Sequence, residues 1–249
     1  MRRGNDGVKA LGETSRPAAL GRAFDQASPL RGRLGIPYFN RSKLLLRISQ
    51  SFNPLTFSIG GNHFNHTARK NIKMTYVVMD NWVYGLTKKQ TSPTSPLGFK
   101  SKTDTWGAVD YPINPMKQAI AAGATFVART THTNPSHVLQ MMEAAMDHEG
   151  FSFIECLSEC VEFYEGAFDA SNPRKGGVFN QVSAEHDVTD EMAAYKLSDA
   201  AFPGYFGLFY KADKPTKNAK EASLNAGAME KVKGLKDWQI LQKTFDRLK

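Results

Sequence analysis

The rhythm of apolar positions along this 249-residue chain changes at Phe57. Before it, Gly, Pro, Ser and Arg recur without a sustained apolar period, so residues 1–43 read as a disordered or non-native segment. The patch 44–48 is one helical turn or a strand in a context poor for either. From Phe57 the pattern becomes regular. Ser58-Ile59-Gly60-Gly61-Asn62 predicts a tight turn feeding a helix over 63–70, whose N-terminus points at whatever the glycines admit. Residues 74–79 are an apolar run rich in β-branched side chains, as in a buried parallel strand, and Asp80-Asn81 put polar groups at its C-terminal end. Open α/β sheets place ligands at that end.

Residues 81–112 form a connection too long to be idle inside a compact domain. The alternation then resumes: a helix over 115–122 closed by Gly123, a strand over 125–129, an amphipathic helix over 135–148 closed by Gly150, and a strand over 151–156. Residues 166–182 are rich in Gly and Asn and read as loop, and the apolar stretch 205–210 is a candidate last strand. The fold class is α/β, a mostly parallel sheet flanked by helices. It divides into a basic segment (1–55), an α/β domain (56–210) and a lysine-rich tail with one helix candidate at 235–248 (211–249).

Charge changes this picture little. The net charge of +8 is concentrated in residues 1–55, which hold ten Lys or Arg against three Asp or Glu. That segment has no nucleic-acid reading motif and no helix interleaving basic and aromatic residues, so the high isoelectric point says little about the globular part. The sequence has no membrane-length apolar run and no secretory signal, which makes the cytoplasm the expected compartment. Two cysteines, Cys156 and Cys160, cannot make a disulfide framework or a four-thiolate cluster. On their own they read as half-buried thiols at a strand end.

The candidate chemistry lies after the 74–79 strand. An Asp-Asn pair followed by a glycine supplies part of the hard oxygen cage that Mg²⁺ requires, although such pairs also cap helices and start turns. Several stretches together add context: Ser58-Ile59-Gly60-Gly61-Asn62-His63, Asp80-Asn81-Trp82-Val83-Tyr84-Gly85-Leu86-Thr87-Lys88-Lys89-Gln90-Thr91-Ser92-Pro93-Thr94, Ala121-Ala122-Gly123-Ala124-Thr125-Phe126-Val127-Ala128-Arg129 and Gly150-Phe151-Ser152-Phe153. Over residues 56–210 they resemble the β subunits of 2-oxoacid:ferredoxin oxidoreductases. The resemblance implies a thiamine-diphosphate-binding fold and the oxidative decarboxylation of a 2-oxoacid to an acyl-CoA, with electrons passed to ferredoxin. It implies an α subunit as partner and thiamine diphosphate, Mg²⁺ and a [4Fe–4S] cluster as cofactors. By the same resemblance the Asn81 side chain and Val83 carbonyl are Mg²⁺ ligands, and Gly85 and Leu86 line the diphosphate. Thr87 and Lys88 face the substrate, and Cys160 matches the last of four cluster cysteines. Lys88 suits the second carboxylate of 2-oxoglutarate, with pyruvate close behind; a solvated loop lysine is the plainer reading. His63 and His66 read as structural residues of their helix rather than as acid–base groups.

The chain also departs from the family. Where the family has Gly-Asp-Gly-Asp, this sequence aligns Phe52-Asn53-Pro54-Leu55, so Asn53 puts a neutral amide in place of an anionic Mg²⁺ ligand. No cysteine occurs in residues 1–55, where the resemblance implies three more cluster ligands. The alternative is therefore a non-catalytic pseudo-subunit, or a frameshifted product in which the normal first part was replaced, that retains the fold alone.

Overall fold

A computed structural model describes residues 49–52 and 54–247. The expectations placed on residues 1–48, the patch 44–48 among them, and on Asn53 lie outside the described residues.

Five strands form one sheet: β1 (Ser49–Phe52), β2 (Met74–Asp80), β3 (Phe126–Thr131), β4 (Phe151–Leu157) and β5 (Gly207–Lys211). Their order is β1-β2-β4-β3-β5. The first four are mutually parallel, and β5 closes the edge antiparallel to β3 with a register shift between Val127 and Ala128. The described residues also hold six helices, α1 (Gly61–Arg69), α2 (Pro115–Ala121), α3 (Pro135–Asp147), α4 (Glu191–Leu197), α5 (Lys217–Val232) and α6 (Asp237–Asp246). None is long and apolar enough to cross a membrane.

The local chemistry explains why these elements begin and end where they do. Helices α2 and α3 start in the same way: Asn114 and Asn134 accept the Lys117 and His137 amides, and proline fills the next position, where no amide is needed. Gly123 ends the α2 turn at φ +87°, a conformation costly for other residues. On one face of the sheet, Phe64 and Ala68 of α1 and Met116, Ala119 and Ile120 of α2 pack on Val78, Val127, Phe151 and Phe153. Phe64 meets Phe57, Tyr76, Phe151 and Phe153 edge-on with centroids 5.5–5.7 Å apart. Its truncation to Ala should cost about 3–5 kcal/mol. On the other face Met141 and Ala145 of α3 cover Val77, Phe126, Ala128 and Ile154. β4 lies between two parallel neighbours with all seven residues buried, as expected of a strand covered on both faces.

The sheet begins earlier than the boundary at residue 55 suggested, because the backbone of Ser49–Phe52 pairs with Tyr76–Met79. The tail after Lys211 holds two helices rather than one, and α4, which carries no long apolar stripe, was not foreseen. Its start is set by Asp190, whose side chain accepts the Met192 and Ala193 amides.

Candidate cofactor and metal site

The segment that leaves β2 is built around a buried carboxylate. Asp80 is fully buried at the strand end and its Oδ1 accepts the Trp82 amide at 3.1 Å and the Thr94 hydroxyl at 2.6 Å. Its Oδ2 is buried with no hydrogen-bond partner among the described residues. Burial, and then the neighbouring Glu155 carboxylate, push Asp80 up to about 7. Glu155 lies at the centre of β4, 2% exposed, and its Oε2 accepts Arg129 Nε at 2.6 Å. Asp80 therefore anchors the loop from below, and the sequence reading, which placed it in the pair with Asn81, missed this role.

The next residue along faces the opening. Asn81 is half-buried and its Oδ1 accepts the Val83 amide at 3.3 Å, a long bond that leaves a lone pair. Trp82, between the two expected ligands, takes φ +57°. Val83 is buried against Phe99 and Ala108, and among the described residues no hydrogen-bond donor reaches its carbonyl oxygen. The chain then turns tightly: the Lys88 amide donates to the Gly85 carbonyl at 2.9 Å, and the Lys89 and Gln90 amides to that of Tyr84. A Cβ added at Gly85 would stand 3.4 Å from Cys160 Sγ and 3.8 Å from Asn81 Nδ2. Cys160, distant in sequence, is thus a neighbour of Asn81 and Gly85. The glycine bend before α1 joins them through Ser58 Oγ, 3.0 Å from the Tyr84 hydroxyl. Gly60 itself has φ −80°, so the bend needs no left-handed residue.

Leu86, Thr87 and Lys88 stand exposed at the tip, with Lys88 at φ +66° and Lys89 at +70°. The Lys89 ammonium lies over the Phe99 ring at 5.8 Å, while Lys88 keeps no such packing. His63 and His66 point outward from α1, exposed. Cys156 is buried in the apolar layer under α3, where burial pushes its thiol up to about 12.

The geometry fits a hard divalent cation in part. The Asn81 amide and Val83 carbonyl are oxygen donors of the right kind for Mg²⁺, and Gly85 carries no side chain beside Asn81. An iron–sulfur cluster does not fit the residues of this sequence. It holds two cysteines, one inside the sheet, and among the described residues no group of three or more His, Cys, Asp or Glu could hold a metal.

Residues 56–156 match the family model described as the C-terminal thiamine-pyrophosphate-binding domain of thiamine pyrophosphate enzymes. A solved 2-oxoglutarate:ferredoxin oxidoreductase from Magnetococcus marinus, with 2-oxoglutarate, coenzyme A and succinyl-CoA bound, superposes with a TM-score of 0.65 at 34% identity, covering 75% of this chain and 63% of that one. The mostly parallel sheet is therefore a thiamine-diphosphate-binding fold. Among curated relatives, a 2-oxoglutarate oxidoreductase subunit KorB from Mycobacterium tuberculosis is 42% identical over 50% of this chain and 33% of its own length. A 2-oxoglutarate synthase subunit KorB from Methanocaldococcus jannaschii is 42% identical over 46% of this chain and 42% of its own. The 2-oxoacid:ferredoxin oxidoreductase β subunit of Saccharolobus solfataricus is 40% identical over 42% and 34%. The chain is related to the β subunits of 2-oxoacid:ferredoxin oxidoreductases, as its motifs predicted, and it spans about a third to two-fifths of the length of these curated relatives.

Proposed function

We propose that this chain is a thiamine-diphosphate-binding β subunit of a 2-oxoacid:ferredoxin oxidoreductase, with Asn81 and the Val83 carbonyl as Mg²⁺ ligands and Gly85 and Leu86 against the diphosphate. The observation that carries this reading is the turn after β2. Within five residues it offers a half-buried amide oxygen, a carbonyl without a donor among the described residues and a bare glycine backbone, at the C-terminal edge of a parallel sheet. Phosphate oxygens and water would complete the near-octahedral shell. Thiamine diphosphate, when bound, supplies the nucleophilic carbon and electron sink that decarboxylation of a 2-oxoacid requires. The chain's own part is to grip and orient. Lys88, exposed at the lip, is the candidate partner of a substrate carboxylate, with Thr87 beside it.

Two of the relatives are named for 2-oxoglutarate and the structural neighbour holds it, which favours 2-oxoglutarate over pyruvate. Coenzyme A as acyl acceptor and ferredoxin as electron acceptor follow from the same kinship. An α subunit is the proposed cover for the apolar residues at the lip, where Ile59 is 87% and Leu86 91% exposed. Onward transfer through a [4Fe–4S] cluster would need thiolates that this sequence does not contain, so that step is not assigned to this chain.

A second reading, a pseudo-subunit that retains the fold, is favoured by Phe52-Asn53-Pro54-Leu55, which lacks the anionic ligand and the glycines of the family pattern. Titration calorimetry of the full chain with thiamine diphosphate, with and without Mg²⁺, separates the two. Saturable, Mg²⁺-dependent binding that Asn81→Ala weakens at least tenfold is expected. No saturable binding to the wild-type chain would overturn the first reading in favour of the second.

A further inference from the structure

The two candidate metal ligands flank a residue whose backbone is strained. Trp82 sits at φ +57°, a left-handed conformation that is strained for a non-glycine residue and persists only where the surroundings impose it. Here they impose it from several directions. The Trp82 amide donates to buried Asp80 Oδ1 at 3.1 Å, and its carbonyl accepts the Ser95 hydroxyl at 2.6 Å. Its ring packs edge-on against Phe168 and Phe202 with centroids 4.5 and 4.9 Å away. The peptide joining Trp82 to Val83 is thus held at its oxygen by Ser95 and at its nitrogen by Asn81 Oδ1.

Both hydroxyls of this clamp come from the far end of the loop. Thr94 Oγ1 donates to Asp80 Oδ1 at 2.6 Å, and Ser92, Thr94 and Ser95 are all buried. A serine hydroxyl has one proton. Because the Ser95 proton goes to the Trp82 carbonyl, Ser95 Oγ is an acceptor for the Ser92 amide at 2.8 Å and for the Ser92 hydroxyl at 3.1 Å. The network therefore has a single direction, from Ser92 through Ser95 to the Trp82 carbonyl. Rotation of that peptide would break the Ser95 bond and the Asn81 bond together, turning the Asn81 amide and the Val83 carbonyl away from each other.

We propose that Thr94 and Ser95 are positioning residues of the metal-ligand turn: they return from fourteen and thirteen residues downstream to lock Asp80 and Trp82, and so preset Asn81 and the Val83 carbonyl for one cation. This rests on the functional reading given above for the identity of the cation, but the locking itself does not.

The test has two arms. In the full chain without ligand, amide hydrogen exchange is followed in the peptide spanning 81–85 for the wild type, Ser95→Ala, Thr94→Val and Thr94→Ser. Exchange should accelerate at least tenfold in Ser95→Ala and Thr94→Val and by less than twofold in Thr94→Ser, while amides in β4 keep their protection. In the second arm the same proteins are titrated with Mn²⁺ in the presence of thiamine diphosphate. The first two variants should bind at least tenfold more weakly, and Thr94→Ser within about twofold of wild type. Unchanged exchange in Ser95→Ala and Thr94→Val would overturn the proposal, as would equal acceleration across β4, the mark of general destabilisation. If the wild type binds no Mn²⁺, the functional reading fails while the exchange arm still decides the clamp.

Discussion

Asp80 shows how a single residue can be read correctly as important and wrongly as to its task. A carboxylate at the end of an apolar strand looks ligand-facing in the sequence, but this one is turned inward, one oxygen holding the loop and the other without a partner among the described residues. Only the burial of its neighbours reveals it, since Glu155 and its partner Arg129 lie on adjacent strands, related through a register that no local pattern encodes. That Asn81, Gly85 and the tip residues share one loop after β2 was legible because a contiguous motif carries them. The left-handed turn at Trp82 was not, because nothing in tryptophan's chemistry announces a positive φ. The Arg129–Glu155 pair gives a residue-level prediction. Arg129→Ala leaves Glu155 buried without its cation and should cost about 3–5 kcal/mol, whereas an apolar pair of similar volume, Arg129→Met with Glu155→Leu, should cost far less. Urea denaturation of the three proteins checks this; equal losses would show that the charge itself is not what the fold is compensating.

Among the elements, α3 joins the sheet through two buried histidines, one near each end. His137 Nδ1 lies 2.8 Å from Thr130 Oγ1, and His148 Nε2 lies 2.8 Å from Thr125 Oγ1. Burial lowers both rings below the usual histidine value, and Lys211 adds to the effect at His148. The folded state therefore binds fewer protons than the unfolded chain below about pH 6.5, so stability is fully present above that pH and lost as pH falls beneath it. Between pH 7.5 and 5.5 these rings should lower the urea midpoint, while Asp80, raised to about 7, titrates in the same window with the opposite sign and offsets part of that drop. The drop should shrink in His137→Asn with His148→Asn; an undiminished slope in that variant would place the dependence elsewhere. The existence of α3, like that of α1, α2 and the central strands, was legible from period and punctuation. The direction of β5 was not, since an apolar stretch reads identically parallel or antiparallel. Nor was α5, a helix without a buried residue and hence without the stripe that sequence reading depends on.

In the molecule as a whole, the described residues from Ser49 onward belong to one compact unit, to which α5 and α6 contribute no buried side chain. Among the described residues, the last hydrogen bonds from the tail to the rest of this unit are at Lys214 and Pro215, whose carbonyls accept Asn71 Nδ2 in the turn before β2. A chain ending at Thr216 should therefore unfold within about 2 °C of the full one by calorimetry, because surface segments away from the core contribute little. A larger loss would show that the two helices cover something. The cation seat proposed at Asn81 and the Val83 carbonyl is most directly open to contradiction by diffraction. Crystals of the full chain grown with thiamine diphosphate and Mn²⁺ should show an anomalous peak about 2.0–2.3 Å from both Asn81 Oδ1 and the Val83 oxygen, bridging to the diphosphate over Gly85. A diphosphate bound with its metal away from these two oxygens, or no density above Gly85 at saturating ligand, would contradict it.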